Sequence, residues 1–190
     1  MVTSIGLLDS HPESSGMQQH ISAVLTQGKI IVPSQSDADS LYQDGYGYRV
    51  NKQHYMHPVE ILFTVFRNKI SVIDEITNRT LSFTELLHVL SPETPNLWTN
   101  YIVFKDLRTR GFIIKIEEDR FLVYERGTYR KTTPSYVIHI FSEGKPQSLT
   151  EFIEELRATE KDGYEMKVAV VDRRGEIVFY SVTETELLKE

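Results

Sequence analysis

The chain has no cysteine, which excludes disulfides, cysteine-ligated zinc and thiol catalysis together. It has no apolar run approaching the roughly 20 residues that a bilayer-spanning helix needs. No Gly-Lys-Ser/Thr follows Lys29 or the glycines around Tyr46, so there is no phosphate-binding loop there. The opening residues, Met1 to Gly6, lack the basic region and long apolar stretch of a secretory signal; a cytoplasmic location without membrane association is expected. Excess positive charge is missing too, and a formal balance of −6 argues against a standalone nucleic-acid binder. Internal repeats and low-complexity segments are absent. What remains is 190 residues, enough for one large domain or two small ones, with 40% hydrophobic and 25% charged residues. The charge is uneven. Residues 105–131 are rich in Lys and Arg, whereas residues 151–160 and the last residues are acidic. An acidic average of this kind can hide a basic face.

The first half reads as a small α/β unit. Residues 27–33 give a turn and a short strand closed by Pro33. Ser36 stands as an N-cap with Asp37 and Asp39 behind it, and the helix ends at the glycines around Tyr46. His57 with Pro58 at the first helical position starts a second helix, whose Val59, Leu62, Phe63 and Phe66 recur at helical spacing. Residues 70–73 make a strand. Ser82 and Glu85 form a capping box ahead of Leu86, Leu87 and Leu90. The prolines at 92 and 95 then break the chain, dividing it into domains of residues 1–94 and 95–190.

The second half has a different grammar. Residues 97–110 form an amphipathic helix carrying Trp98, Tyr101, Ile102, Lys105 and Leu107, stopped by Gly111. Residues 112–116 and 120–124 are strands joined by a hairpin turn at Glu117, Glu118 and Asp119. Residues 136–141 form a strand, and residues 149–159 a helix with Phe152, Ile153 and Leu156 turned inward. Residues 167–171 and 177–182 are strands joined by a turn in which Gly175 supplies positive φ. The sheet is expected to be mostly antiparallel or mixed.

Six stretches, in this order and with sensible spacing, resemble the archaeal tRNA-splicing endonuclease family. They are residues 30–32, 41–47, 57–62, 101–112, 121–124 and 169–180. The resemblance implies an α/β (α+β) fold, with a small N-terminal α/β domain followed by a restriction-endonuclease-like, nuclease-type domain with a mixed sheet. It implies cleavage of precursor tRNA at bulge-helix-bulge sites without metal or other cofactor, by a tyrosine, a histidine and a lysine. One such group takes the 2′-hydroxyl proton, another protonates the leaving oxygen, and a cation holds the phosphorane charge. Carried over by position, the tyrosine falls on Tyr124, but Thr133 stands where histidine is expected and Tyr164 where lysine is. Neither supplies the missing chemistry near neutral pH. The chain therefore resembles the family's non-catalytic, structural subunit. That implies an α2β2 heterotetramer with a catalytic endonuclease subunit, in which this chain positions the catalytic subunits and the precursor tRNA.

The resemblance also bears on residues outside the catalytic positions. Ile177, Phe179 and Val182 lie on the last strand, which pairs across the dimer in the family and so covers a sheet edge. Asp172 and Glu176 lie on the turn that docks into the opposing dimer, although Arg173 and Arg174 depart from its acidic pattern. Arg157 matches an arginine that stacks on a bulge base; read alone, it is a solvated helix charge paired with Glu154 or Glu160. Arg126, Arg130 and Lys131 line an RNA path or are simply solvated. Tyr124 read alone is a packing residue at a strand end. His54, His57 and Glu60 lack the spacing of a known ligand set and read as surface or capping residues, so no metal is expected. Two rival readings stay open. One is a self-sufficient homo-oligomeric endonuclease drawing on His139, Lys131 or Lys167; the other is an RNA-binding scaffold sharing only the fold.

Overall fold

The structure, a computed structural model, describes residues 20–117 and 120–184. The N-terminal residues read for a secretory signal, the turn residues Glu118 and Asp119, and residues 185–190 lie outside the described residues. Among the described residues, two mixed sheets and five helices make up an α+β fold. Among the described residues no helix is long and apolar enough to cross a membrane.

The first half contains β1 (Ile21–Thr26), β2 (Lys29–Val32), α1 (Gln35–Gln43), β3 (Tyr48–Val50), β4 (Gln53–Tyr55), α2 (Pro58–Phe66), β5 (Ile70–Asp74), β6 (Thr80–Leu81) and α3 (Phe83–Leu90). Its sheet runs in the order β3-β4-β2-β1-β5-β6, and only β1 and β5 pair in parallel. The second half contains α4 (Leu97–Thr109), β7 (Ile113–Glu117), β8 (Arg120–Tyr124), β9 (Tyr136–Ser142), α5 (Leu149–Lys161), β10 (Glu165–Val171) and β11 (Ile177–Val182). Its sheet runs β11-β10-β9-β8-β7, with β9 and β10 parallel around the α5 crossover.

Local chemistry explains most of the boundaries. The Ser82 hydroxyl accepts from the Glu85 amide, and Glu85 accepts from the Ser82 amide at 2.8 Å, completing the capping box of α3. His57 caps α2 in the same reciprocal way, its Nδ1 accepting from the Val59 amide and Glu60 accepting from the His57 amide. One cap differs from expectation. Ser34, not Ser36, starts α1: Ser34 is extended after Pro33 and its hydroxyl reaches the Asp37 amide, which leaves Ser36 inside the first turn. Gly175 turns β10 into β11 with φ +83°. Strands β1, β3, β4 and β6 carry no expectation in the sequence reading. Three of these four have three residues or fewer, or no buried apolar pair at period two.

One apolar cluster runs through both halves. A line of rings carries it: Tyr46 meets Phe63 on α2, Phe63 meets Phe104 on α4 at 5.6 Å, and Phe104 meets Phe121 on β8 at 6.1 Å. Phe104 and Phe121 are fully buried, each worth roughly 2–3 kcal/mol in burial. Register then divides the second sheet. Phe121, Val123, Ile138 and Ala169 face α4, whereas Leu122, Val137, Met166 and Val168 face the side covered by α5.

Candidate functional site

Tyr124 ends β8 on the α5 side of the sheet, because it shares parity with Leu122, which lies opposite Val137. Its ring meets the edge of Tyr129 at 5.2 Å. A cleft of 380 Å³ opens beside it, walled by Leu122, Val137, Pro134 and Tyr164. Pro134 directly follows Thr133, itself exposed on the loop into β9. Tyr164 is placed by Gly163, whose φ of +83° ends α5, and by its own amide donating to the Thr159 carbonyl at 3.0 Å. The fold thus gathers Tyr124, the neighbour of Thr133, and Tyr164 around one cleft, although 40 residues of chain separate the first from the last.

The charged groups in that wall are Glu117, Asp162 and Arg120. Among the described lining residues there is no imidazole and no ammonium. Burial pushes the Tyr124 phenol above its ordinary value, and Glu117, Tyr129 and Tyr164 add to the effect. A phenol in such surroundings keeps its proton near neutral pH, so it can donate a hydrogen bond but does not act as a base.

The three side chains considered as substitutes sit elsewhere. His139 is on the same face, but Tyr124 is level with Ser135 in the β8–β9 register. Four residues along a strand is roughly 13 Å. The His139 Nδ1 is instead 2.6 Å from Glu155 on α5, and its ring packs on Phe141 and Phe152. Lys167 lies opposite Ile138 and therefore on the α4 face, its ammonium 4.1 Å from the centre of the Tyr136 ring. Lys131 is exposed in the loop before Thr133, and among the described residues its ammonium has no hydrogen-bond or ion-pair partner.

The basic side chains differ sharply in what they touch. Arg130 has positive φ (+67°), donates to the Tyr42 carbonyl and packs between Tyr42 and Tyr129. Arg126 is exposed and forms no ion pair among the described residues. Arg157 is exposed and holds Glu184 through two hydrogen bonds of 2.9 and 2.5 Å; among the described residues it forms no contact ion pair with Glu154 or Glu160, though Glu154 acts on it through its charge. Glu184 follows β11, and that strand runs back alongside β10 towards the C-terminal part of α5. No local spacing could have announced this contact. On the edge strand, Ile177, Phe179 and Val182 are half-buried, while Val178 and Tyr180 are about half exposed. In the turn before it, Asp172 is engaged locally, one oxygen accepting from the Arg174 and Glu176 amides at 2.8 Å each.

A second, larger cleft of 610 Å³ lies between the halves of the chain, and Tyr124 and Glu117 line both clefts. Tyr42, Tyr48, Arg49, Lys115 and Tyr129 contribute to it. So does Glu60, buried with its carboxylate accepting from the Gly47 and His57 amides. Burial raises the Glu60 pKa, and Lys115 and the two amides work against that rise. The sequence reading missed this cleft because its residues come from β3, α2 and β7, far apart in the chain.

His54 is not a surface residue. It is 1% exposed, and neither ring nitrogen has a hydrogen-bond partner among the described residues. Gly47 leaves room for it: a Cβ at Gly47, whose φ is +70°, would lie 2.4 Å from the His54 Nε2 and from the Tyr55 carbonyl. Burial first, then Arg49 and Lys115, holds its pKa down to about 4. No cluster of three or more metal-ligating side chains occurs among the described residues.

Comparison with known proteins bears directly on this arrangement. Residues 21–87 match the family model of the tRNA intron endonuclease N-terminal domain, and residues 97–179 match that of the tRNA intron endonuclease catalytic C-terminal domain. A tRNA-splicing endonuclease of Methanococcoides burtonii is 31% identical over 170 residues, covering 88% of this chain and 48% of that protein. One from Methanosarcina acetivorans is 28% identical over 158 residues, covering 82% of this chain and 45% of its own length. One from Methanococcus maripaludis is 30% identical over 166 residues, covering 85% and 93%. The chain thus spans about half the length of the first two relatives and nearly all of the third.

Proposed function

Since this chain belongs to the tRNA intron endonuclease family, we propose that it serves as a structural subunit of a tRNA-splicing endonuclease. In this reading it assembles with a catalytic subunit as an α2β2 heterotetramer in the cytoplasm. It positions that subunit and the precursor tRNA for cleavage at bulge-helix-bulge sites. Residues 1–94 and 95–190 act as its two domains.

The observation that carries the reading is the lining of the Tyr124 cleft, where Pro134 beside Thr133 and Tyr164 stand with a raised-pKa phenol. Cleavage needs a proton acceptor, a proton donor and a cation at one point. The imidazole and ammonium that the family resemblance implies are not among the described lining residues, which offer instead two phenols, two carboxylates and one guanidinium. Two cuts at a set separation need a rigid spacer between active centres, and the single core running through both halves suits that task. Strand β11 supplies an edge for pairing with another subunit, through Ile177, Phe179 and Val182. Asp172 and Glu176 would dock only as part of a turn that also presents Arg173 and Arg174. Arg126, Lys131 and Arg157 are the cations offered to RNA.

The test uses purified chain, a catalytic family subunit and a precursor tRNA with a bulge-helix-bulge. The isolated chain should not cleave, the mixture should, and Tyr124→Phe should leave the mixture's rate unchanged. Cleavage by the chain alone, abolished by Tyr124→Phe, would overturn the structural role.

A further inference from the structure

We infer that the cleft between the two halves is a subsite for one unpaired nucleotide of a single-stranded RNA segment, its base stacking on Tyr48 and its phosphate meeting Lys115 and Arg49. The inference rests on the RNA-processing reading above and adds to it a place where the strand is held.

Four tyrosines line this cleft: Tyr42, Tyr48, Tyr124 and Tyr129. Its 610 Å³ lies within the range of about 300–1,000 Å³ usual for small-molecule sites. Tyr48 is 53% exposed and braced from behind by Tyr55, the two rings stacked at 5.8 Å and 21°. An exposed ring fixed in this way is a stacking platform, and a base must leave its own stack to use it. That condition favours an unpaired nucleotide over a duplex.

The cations are suitably placed and only lightly engaged. The Lys115 ammonium donates to the Gly47 carbonyl at 2.7 Å and pairs with no carboxylate among the described residues. Two of its three protons therefore remain for a phosphate. Arg49 holds one exposed carboxylate, that of Asp39, and lies 4.6 Å from the centre of the Tyr42 ring. Of the two acids that line the cleft, Glu60 and Glu117, Glu60 has both oxygens on backbone amides, whose N–H dipoles offset its charge toward an incoming anion. Continuity completes the case. Because Tyr124 and Glu117 border both clefts, a strand crossing Tyr124 passes from one into the other.

The experiment measures fluorescence anisotropy of a fluorescein-labelled uridine pentanucleotide with the full chain, alongside a blunt RNA duplex and free uridine monophosphate as competitors. The pentanucleotide should bind, Tyr48→Ala and Lys115→Met should each weaken it about tenfold, and Tyr48→Phe should retain binding. Tyr48 is exposed enough that Tyr48→Ala should fold, so a failure of Lys115→Met to fold leaves the test intact. Wild-type binding by Tyr48→Ala, or no binding at all, overturns the subsite. Competition by duplex or by uridine monophosphate equal to that of unlabelled pentanucleotide overturns it as well. Cleavage of precursor tRNA with a catalytic subunit is scored separately: its absence removes the splicing role, while pentanucleotide binding lost in both variants still upholds the subsite.

Discussion

The Arg130 guanidinium donates to the main-chain carbonyl of Tyr42 at 2.5 Å and lies 3.9 Å from the centre of the same residue's ring. Two more cations from the second half of the chain do the same nearby. Arg108 donates to the Asp44 carbonyl and Lys115 to the Gly47 carbonyl. Three positive side chains thus fasten the segment that leaves the C-terminal end of α1, where the helix dipole is negative. The loop carrying Arg130 also carries Thr133 and Pro134, so this fastening sets one wall of the Tyr124 cleft.

Arg130 and its neighbour Lys131 should therefore behave differently when truncated. Arg130→Ala loses a charged hydrogen bond and a ring contact, about 1–2 kcal/mol in urea melts. Lys131→Ala should change stability by no more than about 0.5 kcal/mol. It should instead reduce the salt dependence of RNA binding, since an uncommitted ammonium is free to displace counterions at a phosphate. Equal stability losses for both would mean that the Arg130 contact to Tyr42 carries no weight.

Acid should weaken the fold through His54. Its pKa is about 4 when folded against an ordinary 6.5, so between those values the unfolded chain binds a proton that the folded chain does not. The stability His54 permits is complete above pH 6.5 and falls as pH drops towards 4, by about 3 kcal/mol at most. Glu60, whose pKa is raised, acts in the opposite sense above the ordinary carboxylate range. The clean readout is the difference between wild type and His54→Phe. Because neither ring nitrogen bonds another described residue, the variant sacrifices no hydrogen bond to one and should keep its neutral-pH stability while losing this acid slope. An identical pH profile for the two proteins would show that His54 does not titrate in this window.

Much of this architecture is legible in residues close together in the chain. The caps at Ser82 and His57, the stop at Gly111, and the turn at Gly175 follow from neighbours two to four positions apart. The amphipathic patterns of α2, α3, α4 and α5 follow likewise. Short strands such as β3 and β4 are not legible, because three residues hold too few alternations to set a period. The Ser36 cap failed for a similar reason, since two serines compete within three positions and the exit from β2 decides between them. Contacts made through tertiary structure leave no local trace at all. The burial of His54 depends on the missing Cβ of Gly47, and the partner of Arg157 arrives from beyond β11.

The Arg157 pair gives a further prediction. The Arg157 guanidinium is held by both oxygens of Glu184 in an exposed setting, where such pairs contribute little to stability and compete directly with other anions. If Arg157 serves RNA, Glu184 masks it. Glu184→Gln should then tighten binding of precursor tRNA several-fold at low salt, and the gain should vanish in the Arg157→Ala background. A gain that persists without Arg157 would trace to the loss of a negative charge alone.

The electrostatics of the Tyr124 cleft can be probed without any RNA. Its phenol is raised above 10.0 by burial and by acidic and phenolic neighbours. The alkaline absorbance titration of wild type minus that of Tyr124→Phe should place it there. Tyr164→Lys would bring an ammonium to the wall that Tyr124 shares, stabilising phenolate over phenol. The Tyr124 transition, again isolated by subtracting the matching Tyr124→Phe background, should move down by about a unit or more. That shift would show that position 164 addresses Tyr124 and that the native tyrosine there withholds the charge. A transition that stays in place would mean that the side chain at 164 does not reach the phenol. The correspondence between Tyr164 and a catalytic lysine position would then be lost.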